Sequence, residues 1–251
     1  MKKDPRERRA PEAEPGFKEE GKKVFPMIIA LINENSQAAK NQLIEATLKK
    51  VVEPMGHTVR NYGMYTAEDA DQLTYVQAGI MAAILLNSGA ADYVITGCGT
   101  GEGAMLACNS FPGVICGHVE DPVDAYTFAQ VNDGNCVAMP FAKGCGWGME
   151  LNWEYVFEKL FGFGSGKGYP KERVVPEQNN KKILDLVRER TMNDLIAGLK
   201  AIDGMEAKPG ITNMEKLVTR TVNARGFREL FDRDCKDEAI RAYVHSLWQE
   251  D

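Results

Sequence analysis

Short apolar runs alternate along most of this chain with longer segments whose apolar positions recur every three or four residues. MIIALI (27–32) is the first run. It ends at the polar NENSQ and is followed by Leu43, Ile44, Leu48, Val51 and Val52 at helical spacing, the pattern of a buried strand, a loop and an amphipathic helix. The alternation recurs in HTVRNYG then LTYVQAGIMAAILLNSG, in ADYVITG then GEGAMLACNS, in GVICGHV then DPVDAYTFAQV, and in NCVAMP then GMELNWEYVFEKLF. Five strand–helix units in succession predict a doubly wound α/β domain: a five-stranded parallel sheet with helices on both faces, because parallel crossovers lay their helices there.

Beyond this pattern, FGFGSGKGYPKERVVPEQ (161–178) is rich in glycine and charge and reads as a loop, followed by a helix through about Ile202. After a Lys-Pro-Gly break, residues 207–251 read as two or three short polar helices. They are too polar for a second core, so they are expected to pack on the domain or on a neighbouring subunit. Residues 1–25 mix charged residues and proline with almost no large apolar side chains, a composition that cannot offset the entropy of ordering. The expected division is a disordered tail (1–25), an α/β domain (26–203) and a helical C-terminal extension (204–251).

Composition excludes several classes of function. A chain of 251 residues with a formal net charge of -6 is a poor polyanion binder, so no nucleic-acid partner is expected. No apolar run is long enough to span a bilayer, and the charged N-terminus lacks the apolar stretch of a secretory signal. No membrane association and a cytoplasmic location are therefore expected. The six cysteines form no C-x-x-C motif or close Cys/His set, so they read as small buried hydrophobes, with no metal site and no cofactor expected. His57 and His245 read as surface residues, and Trp147 and Trp153 as core or subunit contacts.

Ligands of open α/β sheets bind beyond the carboxyl ends of the strands, and the loop after the third strand is TGCGTGEGAM. Gly97, Gly99, Gly101 and Gly103 let several backbone N–H groups converge at a helix start, where the dipole also favours negative charge. Neither common glycine motif fits. Glu102 occupies the last glycine position of a dinucleotide fingerprint, and GSGKG (164–168) lacks the rest of a P-loop. Cys98 lies inside the cradle with Thr100 two residues on. Aligned amides favour a thiolate, a thiolate can remove a proton α to a carbonyl, and the same amides can hold the enediolate oxygen that develops. Read alone, the residue fits a buried structural thiol in a tight turn at least as well. Glu102 reads as a dipole-stabilising carboxylate, and His118 ends the fourth strand at the ligand-facing edge.

The segment GCGTGEGAMLACNSFPGV, with DADQLTY upstream and DPVDAYTFAQVNDGN, GMEL and YPKERV downstream, resembles the ribose-5-phosphate isomerase B / galactose-6-phosphate isomerase family over about residues 27–202. The resemblance implies a Rossmann-like fold and a homodimer or tetramer whose active site crosses the subunit interface. It implies an aldose–ketose isomerase in which Cys98 moves a proton between C1 and C2, Thr100 and the amides of Gly99, Gly101 and Gly103 hold the enediolate, and Asn109 and Asn132 shape the site. It places Glu34 as a carboxylate able to relay protons between substrate oxygens. Gln72 is expected to reach the substrate while Tyr75 packs.

Departures from the family pattern narrow the substrate. Asn35 stands where the family has a histidine contacting phosphate, and Val131 where it has the histidine that opens a sugar ring. Of two basic residues that grip phosphate from the neighbouring subunit, the first is Tyr169 here and Arg173 remains, assisted by Lys171. An arginine pairs bidentately with a carboxylate, so the expected substrate is an open-chain sugar acid. Stretches such as ALINENSQAAKN and KGCGWGMELN are similar to the subgroup acting on 4-deoxy-L-threo-5-hexosulose-uronate from glycosaminoglycan breakdown. A ribose-5-phosphate or galactose-6-phosphate isomerase is the nearest alternative, and a non-catalytic anion-binding module a second.

Overall fold

In the computed structural model, residues 25–249 are described; the tail expected for residues 1–25 lies outside them except for Phe25. Five parallel strands, β1 (Ile28–Asn33), β2 (Thr58–Asn61), β3 (Tyr93–Cys98), β4 (Cys116–His118) and β5 (Cys136–Pro140), form one sheet in the order β2-β1-β3-β5-β4. The chain winds outward from β1 to β2, then crosses to β3 on the other side. The crevice between the carboxyl ends of β1 and β3 is therefore the switch point where such sheets bind ligands.

Side chains alternate between two apolar layers, as strand geometry requires. Ile29, Leu31, Ile95, Val137 and Met139 face α1 (Asn41–Val52), α4 (Pro122–Thr127) and α5 (Met149–Phe161). Ala30, Ile32, Val94, Cys98, Cys116, Cys136 and Ala138 belong to the opposite layer with α2 (Tyr75–Asn87) and α3 (Glu102–Asn109). Thr74 starts α2 with a reciprocal capping box to Gln77, which satisfies two orphan N–H groups. α2 and α3 pack so closely that a Cβ on Gly79 would lie 2.7 Å from the Ala107 backbone.

α2 is buried without interruption from Gln77 to Leu85, which a helix shows only when covered all round. Its outer cover is α7 together with the C-terminal extension. α7 (Leu195–Asp203), α8 (Leu217–Val222), α9 (Phe227–Asp234) and α10 (Glu238–His245) place Leu199, Val218, Val222, Phe227, Phe231 and Val244 in the same apolar layer as α2. Asp203 caps α8 by accepting from the amides of Val218 and Thr219 at 2.8 and 3.0 Å. Arg60 on β2 pairs with Asp234 on α9 at 2.9 Å. The extension, polar on its exposed sides, thus completes the domain's own core.

Two readings of the sequence need correction. The loop expected through residue 178 ends earlier, because α6 (Val174–Thr191) begins inside it. The single helix expected through Ile202 is two, with Met192 extended and Asp194 capping α7 through its side chain. His57 is also no surface residue: it is 4% exposed, its Nδ1 accepts from the Met27 amide at 3.2 Å, and Nε2 has no partner. The Phe161 ring of α5 lies against the imidazole at 5.9 Å between centroids, a tertiary contact invisible in the local pattern. His245, by contrast, is exposed and pairs with Asp232 at 2.5 Å. Trp153 is buried in the core, whereas Trp147 is fully exposed at the tip of a glycine-rich loop.

Burial pushes the His57 pKa below its ordinary 6.5, with the Asp92 charge opposing. Between about pH 6.5 and that lower folded value, the unfolded chain holds a proton that the native chain does not. The stability present above about pH 6.5 is therefore lost as pH falls through the window. Urea denaturation at stepped pH will show this loss, and His57→Gln will flatten it. A slope unchanged by the substitution would assign the effect to another group.

Candidate active site

Cys98 is the last residue of β3, and the main chain around it is held in place by the residues just after β5. The amide of Phe141 donates to the Cys98 carbonyl at 2.9 Å, and those of Ala142 and Lys143 donate to the Gly99 carbonyl at 3.0 and 2.8 Å. With these carbonyls engaged, the turn directs N–H groups inward: Gly101 N–H donates to Cys98 Sγ at 3.2 Å. Gly101 adopts φ +83°, and a Cβ there would lie 2.8 Å from both His118 Nε2 and the Met139 carbonyl carbon. Only glycine suits that position. The first N–H groups of α3 have no carbonyl within their own helix, and that of Glu102 donates to the Thr100 hydroxyl at 3.4 Å.

The β1–β3 register pairs Asn33 with Gly97, so Glu34, the residue after β1, and Cys98, the last of β3, each follow a paired position. Strands lie roughly 4.8 Å apart, which sets the main chains of the two residues next to each other at the switch point. Glu34 is 2% exposed, and its side chain accepts from the Ser36 amide at 3.1 Å and from the Ser36 hydroxyl. Beside it, Asn33 is buried and its Oδ1 has no hydrogen-bond partner.

Asn35 and Gln72 line one cleft of about 450 Å³, closed on its far side by Arg220, Asn223 and Gln249 of the extension. The Asn35 amide ties the β1 loop to Leu73 at 2.7 Å. Gln72 spends its side-chain amide donors on the carbonyls of Ala67 and Asp69, at 3.2 and 2.7 Å. Tyr75 is half-exposed, its ring in van der Waals reach of Gly103.

The remaining expected residues lie elsewhere. Asn109 sits at the far end of α3, clamping β4: its Nδ2 donates to the Cys116 carbonyl at 2.8 Å and its Oδ1 accepts from the Cys116 amide at 3.0 Å. Asn132 is exposed at the end of a π turn (Phe128–Asn132), and Val131 lines a groove against α6. Lys171 and Arg173 lie in the 3-10 turn that leads into α6, and Tyr169 meets Tyr126 of α4 edge to face at 5.7 Å.

Two lysines at this edge did not stand out in the sequence, whereas His118 was already placed there. His118 donates to the Thr100 carbonyl at 2.8 Å. Lys143 pairs with Glu120 at 2.6 Å and holds that carboxyl below its usual range. Lys40 reaches the Phe141 carbonyl from the turn after β1. The available signal was position, just beyond a strand's carboxyl end.

The model of the family described as Ribose/Galactose Isomerase matches residues 29–156. The chain belongs to that family. The isomerase superposes with a TM-score of 0.82 on a 4-deoxy-L-threo-5-hexosulose-uronate ketol-isomerase complexed with a tartrate, at 54% identity over 88% of this chain and 99% of that one. The ribose-5-phosphate isomerase LacAB_rpiB from Vibrio parahaemolyticus matches at 46% identity, over 89% of this chain and 100% of that one, also with a TM-score of 0.82. A type B ribose 5-phosphate isomerase from Leishmania infantum, 21% identical with a TM-score of 0.55, shares the fold; all of it aligns, but to 67% of the present chain. No curated protein matches. No helix among the described residues is long and apolar enough to cross a membrane.

Proposed function

We propose that this isomerase converts 4-deoxy-L-threo-5-hexosulose-uronate to its ketose through an enediolate, with Cys98 as the base. The observation that carries this reading is the thiol at the switch point with a backbone N–H directed at its sulfur and the Glu34 carboxylate on the neighbouring strand. Cys98 takes the proton from C2, the electrons move to the C1 oxygen, and the amides of Gly99, Gly101 and Gly103 with Thr100 hold that oxygen. The proton returns to C1, while Glu34 carries the hydroxyl proton between O2 and O1. Asn35 and Gln72 bind the distal part of the chain. Neither the mechanism nor the reading needs a cofactor.

The uronate is favoured over a sugar phosphate by the greater identity to the uronate enzyme and by Val131, which cannot transfer a proton to open a ring. The 46% identity to the ribose-5-phosphate isomerase supports the second reading, a pentose- or hexose-phosphate isomerase.

A homodimer, in a cytoplasmic setting, completes the proposal. α6 is an 18-residue helix with no buried residue, yet it exposes Val175, Ile183, Leu184, Leu186 and Val187. A helix in water draws its stability from covering such a face. We infer that a second copy covers it and that Arg173, at its start, reaches the partner's site to grip the substrate carboxylate, with Asn132 and Lys171 nearby.

Turnover followed by NMR decides among these readings. Conversion of the unsaturated-uronate product with little turnover of ribose 5-phosphate or galactose 6-phosphate is expected; the reverse preference would overturn the uronate assignment, and no turnover of any would leave an anion-binding module. Mixing inactive Cys98→Ala with inactive Arg173→Ala chains should restore part of the activity if the site is shared between subunits. No recovery after subunit exchange would overturn the shared site.

A further inference from the structure

At its far end, α3 meets a group of sulfur atoms that the isomerase chemistry does not use. The Sγ atoms of Cys108, Cys116 and Cys136 all lie within 4.8 Å of one another, and the residues are 0%, 7% and 0% exposed. They are separated in sequence by 8 and 20 residues, so no spacing motif announces them; the fold alone brings them together. Cys116 and Cys136 are register partners in the β4–β5 ladder and so direct their side chains to the same face. α3 sets Cys108 down onto them, and the Asn109 clamp next in sequence locks α3 to the Cys116 backbone. The β4–β5 ladder and the Asn109 side chain thus bring the three residues together before any ion arrives.

Sulfur is the one donor type in this group, and among the described residues no histidine or carboxylate joins it. Zinc sites of structural type are almost always four-coordinate, whereas thiolate-only sets select softer ions such as Cu(I). We propose that Cys108, Cys116 and Cys136 form a three-sulfur seat for one soft, thiophilic cation of the Cu(I) class. Entry of the ion forms metal–sulfur bonds and releases thiol protons to water, with no electron transferred. Three bonding sulfurs give up three protons, one for each metal–sulfur bond formed.

The seat is separate from Cys98. Cys136 pairs in register with Val94, and Cys98 lies four residues further along β3, roughly 13 Å at the rise of a strand. The proposal therefore stands or falls independently of the isomerase mechanism.

The test uses the full-length, fully reduced chain under anaerobic conditions with Cd(II) as the probe, followed by Cu(I) delivered from a chelator. The expected result is one Cd(II) per chain with an ultraviolet sulfur-to-cadmium charge-transfer band, a rise in thermal midpoint with ion concentration, and displacement by Cu(I). Cys98→Ser should retain all three. Cys136→Ala and Cys116→Ala should lose them while keeping the wild-type circular dichroism; Cys116, the most accessible of the three, supplies the answer if Cys136→Ala does not fold. Absence of bound Cd(II) in the folded wild type, a band that survives both alanine variants, or failure of Cu(I) to displace Cd(II) would each overturn the proposal.

Discussion

Replacing Cys98 by alanine is expected to lower kcat/KM for the isomerisation by about a hundredfold to ten-thousandfold, the range for removing a general base. The physical argument is local. The sulfur receives the Gly101 amide at 3.2 Å inside the glycine cradle, which places it where the proton is to be removed. The loss should fall on kcat with KM little changed, because the proton transfer belongs to the transition state and substrate binding rests on other groups. Exchange of the substrate's C2 proton with solvent deuterium, followed by NMR, reads the same step directly and should vanish with turnover. The alanine is only slightly smaller than the thiol and keeps the buried position, so the circular dichroism and thermal midpoint should stay close to wild type. Full-rate turnover by folded Cys98→Ala would remove the thiol from the mechanism and leave Glu34 as the group to examine.

Phe227→Ala is expected to destabilise the whole chain by about 3–5 kcal/mol, the usual cost of emptying a buried aromatic site. Phe227 is fully buried, stacked on Phe231 at 5.1 Å and tilted against Tyr62 at 5.8 Å. Tyr62 follows β2, so the contact links the last quarter of the chain to the sheet edge. If the extension and the α/β layers share one core, urea unfolding monitored by tryptophan fluorescence and by circular dichroism should remain a single coincident transition, shifted to lower denaturant. An early transition confined to the extension, with the main transition unmoved, would show instead that 204–251 fold as a separate unit. The outcome also bears on function, because Arg220, Asn223 and Gln249 close the cleft that Asn35 and Gln72 open.

α2 shows why part of this was legible in advance and part was not. LTYVQAGIMAAILLNSG could be read as a helix, but its apolar residues surround the axis and leave no polar side. That feature already demanded a cover beyond the sheet, and the cover proved to be the extension, whose own helices are too short and too polar to reveal a buried face by local pattern. The opposite case is α6, placed partly in a loop because GYPKERVVPEQ is polar and glycine-bounded; its apolar side chains face away from the chain's own core and give no burial pattern to read.

The candidate site divides along the same line. Thr100 and the glycines of the cradle, with Cys98 among them, are contiguous, and a loop that must bend at Gly101 between a strand and a helix announces itself in the residue types. Glu34 and Cys98 are 64 residues apart, and their proximity follows from strand order. The same is true of His118 with Thr100, of Lys143 with Glu120, and of Lys40 with the loop after β5.

What the sequence by itself determined is what depends on near neighbours: the alternation of strands and helices, the glycine cradle with its thiol, and the membership of a sugar isomerase family. Only the tertiary structure decided the order β2-β1-β3-β5-β4, the burial of His57, the extension's place over α2, and the meeting of Cys108, Cys116 and Cys136. The physical reason is that hydrophobic burial is non-directional. A local pattern states that a face must be covered, and the packing of distant segments settles which residues cover it.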